Sequence, residues 1–253
     1  MPQKVLVTAG AAGIGREIAL AFQAAGAKVF VCDIDQAALD ALAREAPGIG
    51  RTLCDVADRQ AVEAMVAAAA HSLGGLDVLV NNAGVPGPSA PVETLEPAEW
   101  ERVIQVNLNG AFYVAQQAIP HLKRSKTGVI LIMSSAAGRL GYPNRSPYAA
   151  SKWALVGLAK TLAMELGGDG IRVNAILPGA VAGPRMERVL QGRAETSGMP
   201  LEEVRRSAMT NQSLKALVEP KEVAAFALFL ASDAARSISG QALSIDGDMQ
   251  RAS

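Results

Sequence analysis

Thr8-Ala9-Gly10-Ala11-Ala12-Gly13-Ile14-Gly15-Arg16 lies between a short apolar run, Lys4–Thr8, and an alanine-rich stretch with helical spacing, Gly15–Ala25. An apolar run of that length reads as a strand and the stretch after it as a helix, so the glycines form a strand-to-helix turn. Glycine permits tight bending and lets another group approach the backbone closely. The helix that follows presents unpaired N–H groups and a partial positive charge at its start. Such a turn suits an anion, above all a pyrophosphate, although the order of the glycines is not GxGxxG. Taken alone, the cluster is equally compatible with a purely structural bend.

The same alternation continues along the chain. Apolar runs at Lys28–Asp33, Arg51–Cys54, Leu76–Asn81, Gly128–Ser134, Ile171–Leu177 and Ala242–Asp246 are separated by helical patterns at Gln36–Glu45, Arg59–Leu73, Trp100–Leu122, Lys152–Leu166 and Pro220–Ala231. Regular alternation predicts βαβ units and a parallel sheet. Most runs lack strict polar alternation, as strands covered on both faces should. The expectation is an α/β chain with a single Rossmann domain over residues 1–253, a doubly wound parallel sheet of about seven strands with helices on both faces. Gly183–Leu217 is rich in charge and breaks the rhythm. It reads as a lid over the mouth of a site, with an ordinary surface excursion as the alternative.

Composition narrows the class. Acidic and basic residues balance at 24 each, and half of the 253 residues are hydrophobic. No basic field points to nucleic acid and no polybasic run to a membrane surface. The start, Met1-Pro2-Gln3-Lys4, lacks signal-peptide features, and no apolar run reaches membrane-spanning length. Cys32 and Cys54 each end an apolar run, which reads as buried free thiols in a reducing, cytoplasmic setting with no metal site. His71 and His121 lie in helical patterns without ligand-spaced partners and read as structural.

Asp33 sharpens the glycine turn. It ends the second run twenty residues after Gly13, where a carboxylate accepts hydrogen bonds from an adenosine ribose. A carboxylate there repels a 2′-phosphate, and neither Ala12 nor Ile34 supplies a compensating cation. NAD is therefore expected over NADP. Farther on, Tyr148-Ala149-Ala150-Ser151-Lys152 sets a phenol and an ammonium four residues apart, one helical turn on one face. Ser146 reads as the N-cap and Pro147 as the first helical residue. A free phenol is a poor base at neutral pH, and a nearby ammonium favours its anion. The pair suits proton transfer to or from an alcohol oxygen. Ser135 ends the fifth run, where its hydroxyl can orient a carbonyl or alcohol.

With these motifs in order over almost the whole length, the chain resembles the short-chain dehydrogenase/reductase family. The glycine turn looks like its TGxxxGxG, with Ala9 at the first glycine position and Gly10, Gly13, Ile14 and Gly15 lining the turn. The resemblance implies that Asn81-Asn82-Ala83-Gly84 supports the sheet, with Asn82, Ala83 and Gly84 beside the adenine ribose, and that Asp55 and Val56 contact the adenine. Asn107 stands where the family holds a water in a proton relay. Ser135, thirteen residues before Tyr148, matches the catalytic serine, and Tyr148 and Lys152 match YxxxK. Lys152 would also bond the nicotinamide ribose. Pro178, Gly179 and the Val181 N–H would border the nicotinamide, and Gly183 replaces the usual threonine. The resemblance further implies a homotetramer.

The functional expectation is an NAD-dependent dehydrogenase or ketone reductase for a small secondary alcohol: a sugar, polyol, hydroxy acid or cyclic alcohol. The alternatives are an NADPH-linked 3-oxoacyl reductase, disfavoured by Asp33, and a non-catalytic dinucleotide-binding regulator, disfavoured by an intact Ser135, Tyr148 and Lys152. Arg145 and Arg185 are candidate anchors for a negatively charged substrate, against the alternative of solvated loop arginines.

Overall fold

In the computed structural model, seven strands form one sheet: β1 Lys4–Thr8, β2 Lys28–Asp33, β3 Gly50–Leu53, β4 Val78–Asn81, β5 Val129–Met133, β6 Arg172–Pro178 and β7 Ala242–Ile245. The structure describes residues 2–125 and 127–251, without the side chains of Arg185, Arg188, Arg193 and Thr196. The strand order is β3-β2-β1-β4-β5-β6-β7, and every pairing is parallel. The order reverses between β1 and β4, at the point where open α/β sheets bind ligands beyond their carboxyl ends.

The described residues also form helices α1 Gly13–Ala24, α2 Gln36–Glu45, α3 Arg59–Leu73, α4 Pro97–Ile104, α5 Gly110–Leu122, α6 Ser146–Leu166, α7 Pro184–Ser197, α8 Leu201–Ala208 and α9 Pro220–Ala231. Two cores result from the two-residue period of the strands. Leu6, Leu79, Ile130 and Ile132 face α3, α5 and α6. Their neighbours Val5, Val7, Val78, Val80, Val129 and Leu131 face α1, α2 and α9. That double covering is why the central strands read as unbroken apolar runs. The edge strands β3 and β7 do alternate in exposure, since each lacks a neighbour on one side.

Two local expectations are corrected. The continuous helix Trp100–Leu122 is interrupted by a π-helical turn at Gln105–Asn109. Fully buried Asn107 lies in it, and its side chain is drawn sideways onto Val85 and Ser151. A side chain pulled into such bonds favours one extra residue in the turn. Ser146 is the first residue of α6 rather than its cap. Arg145 takes the cap position, and its carbonyl accepts from the Ala149 N–H at 2.9 Å. The charged stretch 183–217 contains α7 and α8, joined by the Glu187–Arg205 ion pair. A parallel bridge between Val181 and Val218 closes its neck.

The glycine turn has an unusual member. Ala9 has a φ of 48°, in the left-handed region that favours glycine. Ala9→Gly should therefore raise stability by roughly 0.5–1 kcal/mol, strain relief outweighing the extra unfolded-state entropy. Calorimetry should record a Tm higher by about 1–4 °C, and an unchanged or lower Tm would contradict the strain.

Candidate active site

Each glycine of the first turn has its own reason. A Cβ on Gly10 would lie 2.7 Å from the Val31 side chain, and one on Gly15 would lie 2.1 Å from the Ala9 carbonyl. Gly13 has a φ of 53° and nothing within 4 Å of where a side chain would begin, so the backbone faces open space. The first turn of α1 carries no acidic residue and no side-chain cap, which leaves its N–H groups for a ligand. Ile14 is half-buried beside them.

Asp33 is tied to this turn. Its Oδ2 accepts from the Ala11 N–H at 3.0 Å, and its Oδ1 from the N–H groups of Ile34 at 2.8 Å and Asp35 at 3.2 Å. Two carboxylate oxygens offer about four acceptor positions, so one remains for a ribose hydroxyl. Arg16, the cation of the turn, is taken by Glu17 and Glu45. Those bonds hold its guanidinium firmly protonated and keep the Glu45 carboxyl below the usual range. Asp55 is exposed, while Val56 is buried beneath Gly110 and offers only its backbone to a ligand.

The Asn81–Gly84 segment is locked to the turn by Thr8, a residue whose role the sequence reading missed. The buried Thr8 hydroxyl accepts from the N–H groups of Asn82 at 2.9 Å and Ala83 at 3.0 Å. The Asn82 amide donates back to the carbonyls of Thr8 and Ala9 at 3.0 and 3.1 Å. Asn81 donates to Ala111 on α5 at 2.7 Å. A threonine ending an apolar strand is the only sequence signal for this clasp.

Tyr148, Lys152, Ser135 and Asn107 converge at the carboxyl end of β5. The buried Lys152 Nζ donates to the Met133 carbonyl at 2.9 Å and lies 5.7 Å from the centroid of the Tyr148 ring. Ser134 Oγ donates to the Lys152 carbonyl at 2.8 Å. Its neighbour Ser135 is half-buried and caps a short helical turn, its Oγ accepting from the Ala137 N–H at 3.2 Å. A Cβ on Gly84 would lie 3.2 Å from Asn107 Oδ1 and 3.3 Å from Lys152 Nζ, so bare backbone separates the two. The Asn107 amide accepts from the Val85 N–H at 2.7 Å and donates to the Val85 carbonyl at 3.0 Å and Ser151 Oγ at 3.1 Å, which uses both amide hydrogens and one lone pair of Oδ1.

On the far side, a Cβ on Gly179 would lie 2.8 Å from Asp246, which brings the Pro178-Gly179 bend against the end of β7. The Val181–Val218 bridge uses the Ala182 N–H and the Ala180 carbonyl, leaving the Val181 N–H outside it. Gly183 has a φ of 135°, a backbone that a threonine would adopt only with strain. Arg139, beyond Ser135, bonds buried Asp246 at 2.7 Å and the Met249 carbonyl at 2.6 Å. Arg145 lies against Tyr142 and Tyr148, and the side chain of Arg185 is outside the described residues. Cys32 and Cys54 are free and buried; contact with Cys54, then burial, pushes the Cys32 thiol well up.

The chain matches known proteins over almost its whole length. A family model described as enoyl-(acyl carrier protein) reductase matches residues 9–250. The chain is 38% identical over 248 residues to a 3-oxoacyl-(acyl-carrier-protein) reductase of Thermotoga maritima, covering 96% of each. It is 35% identical to a D-beta-hydroxybutyrate dehydrogenase of Cupriavidus necator, covering 96% of this chain and 95% of that one. Among solved structures, levodione reductase aligns with a TM-score of 0.89 at 33% identity, covering 98% of both chains. A variant actinorhodin polyketide ketoreductase with NADPH aligns at 0.92 and 33%, covering 97% and 96%.

The chain belongs to the short-chain dehydrogenase/reductase family. It is an oxidoreductase of that type, acting on alcohols or ketones with a nicotinamide dinucleotide. Among the described residues, no helix is long and apolar enough to cross a membrane.

The Thr8 clasp has a measurable consequence. Thr8→Val keeps shape but strands the N–H groups of Asn82 and Ala83, at a cost of roughly 2–4 kcal/mol. Tm should drop by about 4 °C or more, and dinucleotide affinity should fall with it. A variant with unchanged Tm would remove the clasp from the argument.

Proposed function

We propose that the protein is an NAD-dependent dehydrogenase that oxidises a small secondary alcohol, or reduces its ketone, with Tyr148 as the general acid/base. The observation that carries this reading is the Lys152 ammonium, buried at the end of β5 and 5.7 Å from the Tyr148 ring centroid. A phenol with a lysine fixed one helical turn away, at the carboxyl end of a central strand, is placed to pass a proton to or from an alcohol oxygen.

The first turn fits a dinucleotide, since Gly13 leaves open space where a side chain would stand. Gly10, Gly13, Ile14 and Gly15 would hold the pyrophosphate and Asp33 the adenosine ribose. Asp55, Val56, Asn82, Ala83 and Gly84 would border the adenosine, Tyr148 and Lys152 the nicotinamide ribose, and Pro178, Gly179 and Val181 the nicotinamide. When bound, the nicotinamide accepts or gives the hydride. The Ser135 hydroxyl orients the substrate oxygen, Tyr148 takes or returns its proton, Lys152 is held beside the phenol, and Asn107 supports the relay to solvent. Asp33 favours NAD, because its carboxylate would repel a 2′-phosphate and Arg16, the cation of the turn, is occupied by two carboxylates.

The segment 183–217 is read as the substrate lid, hinged at the Val181–Val218 bridge. Exposed Trp100, Phe112, Trp153 and Met164 on α4, α5 and α6, with Phe229 on α9, support a homotetramer in which these faces pack together. Two buried free thiols support a cytoplasmic setting. The likeness to the Thermotoga reductase keeps a 3-oxoacyl substrate as the second reading.

The test is reduced-cofactor production over a panel of sugars, polyols, hydroxy acids, sulfonated polyols and cyclic alcohols. NAD should bind at least about tenfold tighter than NADP, roughly 1.4 kcal/mol. Tyr148→Phe should lower turnover by roughly 10²–10⁴-fold with NAD affinity nearly unchanged. Preference for NADPH with turnover of a 3-oxoacyl thioester would select the second reading, and cofactor binding without turnover on any member would select a regulator.

A further inference from the structure

Arg145 has the chemistry of a substrate anchor but is placed as a brace. Its guanidinium carbon lies 5.3 Å from the Tyr142 ring centroid and 5.3 Å from that of Tyr148. The two rings meet edge-on, 6.5 Å apart at 74°. Nη2 donates to the Pro86 carbonyl at 2.8 Å. No carboxylate among the described residues forms an ion pair with it, and its buried Nε has no protein partner. Its backbone is equally committed: the N–H donates to the Tyr142 carbonyl at 3.2 Å, and the carbonyl caps α6 through Ala149. A parallel tie runs from the Ala90 N–H to the Asn144 carbonyl at 2.9 Å.

We propose that Arg145 is a positioning residue that holds the Tyr148 ring in its working rotamer, clamping it to Tyr142 and to the Pro86 loop. The inference rests on the acid/base role of Tyr148. α6 fixes the backbone of Tyr148 but not the rotation of its ring. Lys152 restrains the ring from one turn along the helix, and Arg145 from the turn before it. A guanidinium suits the task because its plane contacts aromatic rings while its N–H groups bond a carbonyl in fixed directions. The Pro86 carbonyl is a firm anchor. Val85, the residue before it, is held at both its N–H and its carbonyl by Asn107. One chain of contacts therefore runs from the π-helical turn through the loop after β4 to the phenol. Small losses of alignment at a reacting group are costly in rate.

The experiment uses Arg145→Met, Arg145→Lys, Tyr142→Leu and Tyr148→Phe, with the best neutral and the best anionic alcohol of the panel as probes. Arg145→Met should lower kcat roughly 10- to 100-fold on both probes, leave the NAD dissociation constant within about twofold, and increase the solvent deuterium isotope effect on kcat as proton transfer slows. Arg145→Lys, which keeps the charge and a donor, should recover part of the loss. Should Arg145→Met fail to fold, Tyr142→Leu gives the same readout, with a smaller loss of kcat and the same rise in isotope effect. An unchanged kcat and isotope effect overturns the proposal. So does a loss confined to KM for the anionic probe, which would make Arg145 a substrate anchor. Substantial turnover by Tyr148→Phe would instead remove the acid/base reading, whatever the Arg145 variants do.

Discussion

The half of the molecule that bears the proposed chemistry depends on a reciprocal clasp between β5 and α6. Lys152 donates from its ammonium to the Met133 carbonyl, and its own carbonyl receives the Ser134 hydroxyl. A buried ammonium is costly unless its donors are satisfied, so this bond makes the position of Lys152 tolerable as well as definite. Gly138 lets the following turn close over the clasp, since a Cβ there would lie 2.3 Å from Ser134 Oγ. Ser135, the residue between clasp and turn, is placed by both.

A second clasp serves the other half. Thr8 and Asn82 exchange hydrogen bonds across the β1–β4 boundary, where the sheet changes direction. Open α/β sheets bind ligands at such a boundary, and the clasp ties its two sides together. The glycines then bring backbone where side chains would stand: Gly10 over Val31 and Gly15 over the Ala9 carbonyl. Ala9 is the one member whose side chain opposes its backbone conformation.

The two clasps are joined by Asn107. From a π-helical turn it grips Val85 just beyond Gly84 and reaches Ser151 on α6. On the opposite rim, Arg139 links the turn after Ser135 to Asp246 at the end of β7. Met249 and Gln212 then connect that end to the segment 183–217.

Much of this was legible in the sequence. Continuous apolar runs separated by period-3.6 stretches specified a parallel α/β sheet, because burial on both faces demands apolar residues at every strand position. The positions of Gly13, Asp33, Ser135, Tyr148 and Lys152 specified a reading of the site, because their spacing along strand ends and one helix face is local. Tertiary structure alone decided the rest. The break in the Trp100–Leu122 helix came from a bond between Asn107 and a loop 22 residues away, which no local pattern encodes. The Thr8 hydroxyl, the Ser134–Lys152 contact and the Arg139–Asp246 pair likewise join residues 74, 18 and 107 positions apart. Arg145 was visible as a cation near Tyr148, but its placement between two rings was set by the Pro86 carbonyl, 59 residues earlier in the chain. Periodicity and spacing fix what is near along the chain; hydrogen bonds across the sheet fix what each of those side chains is free to do.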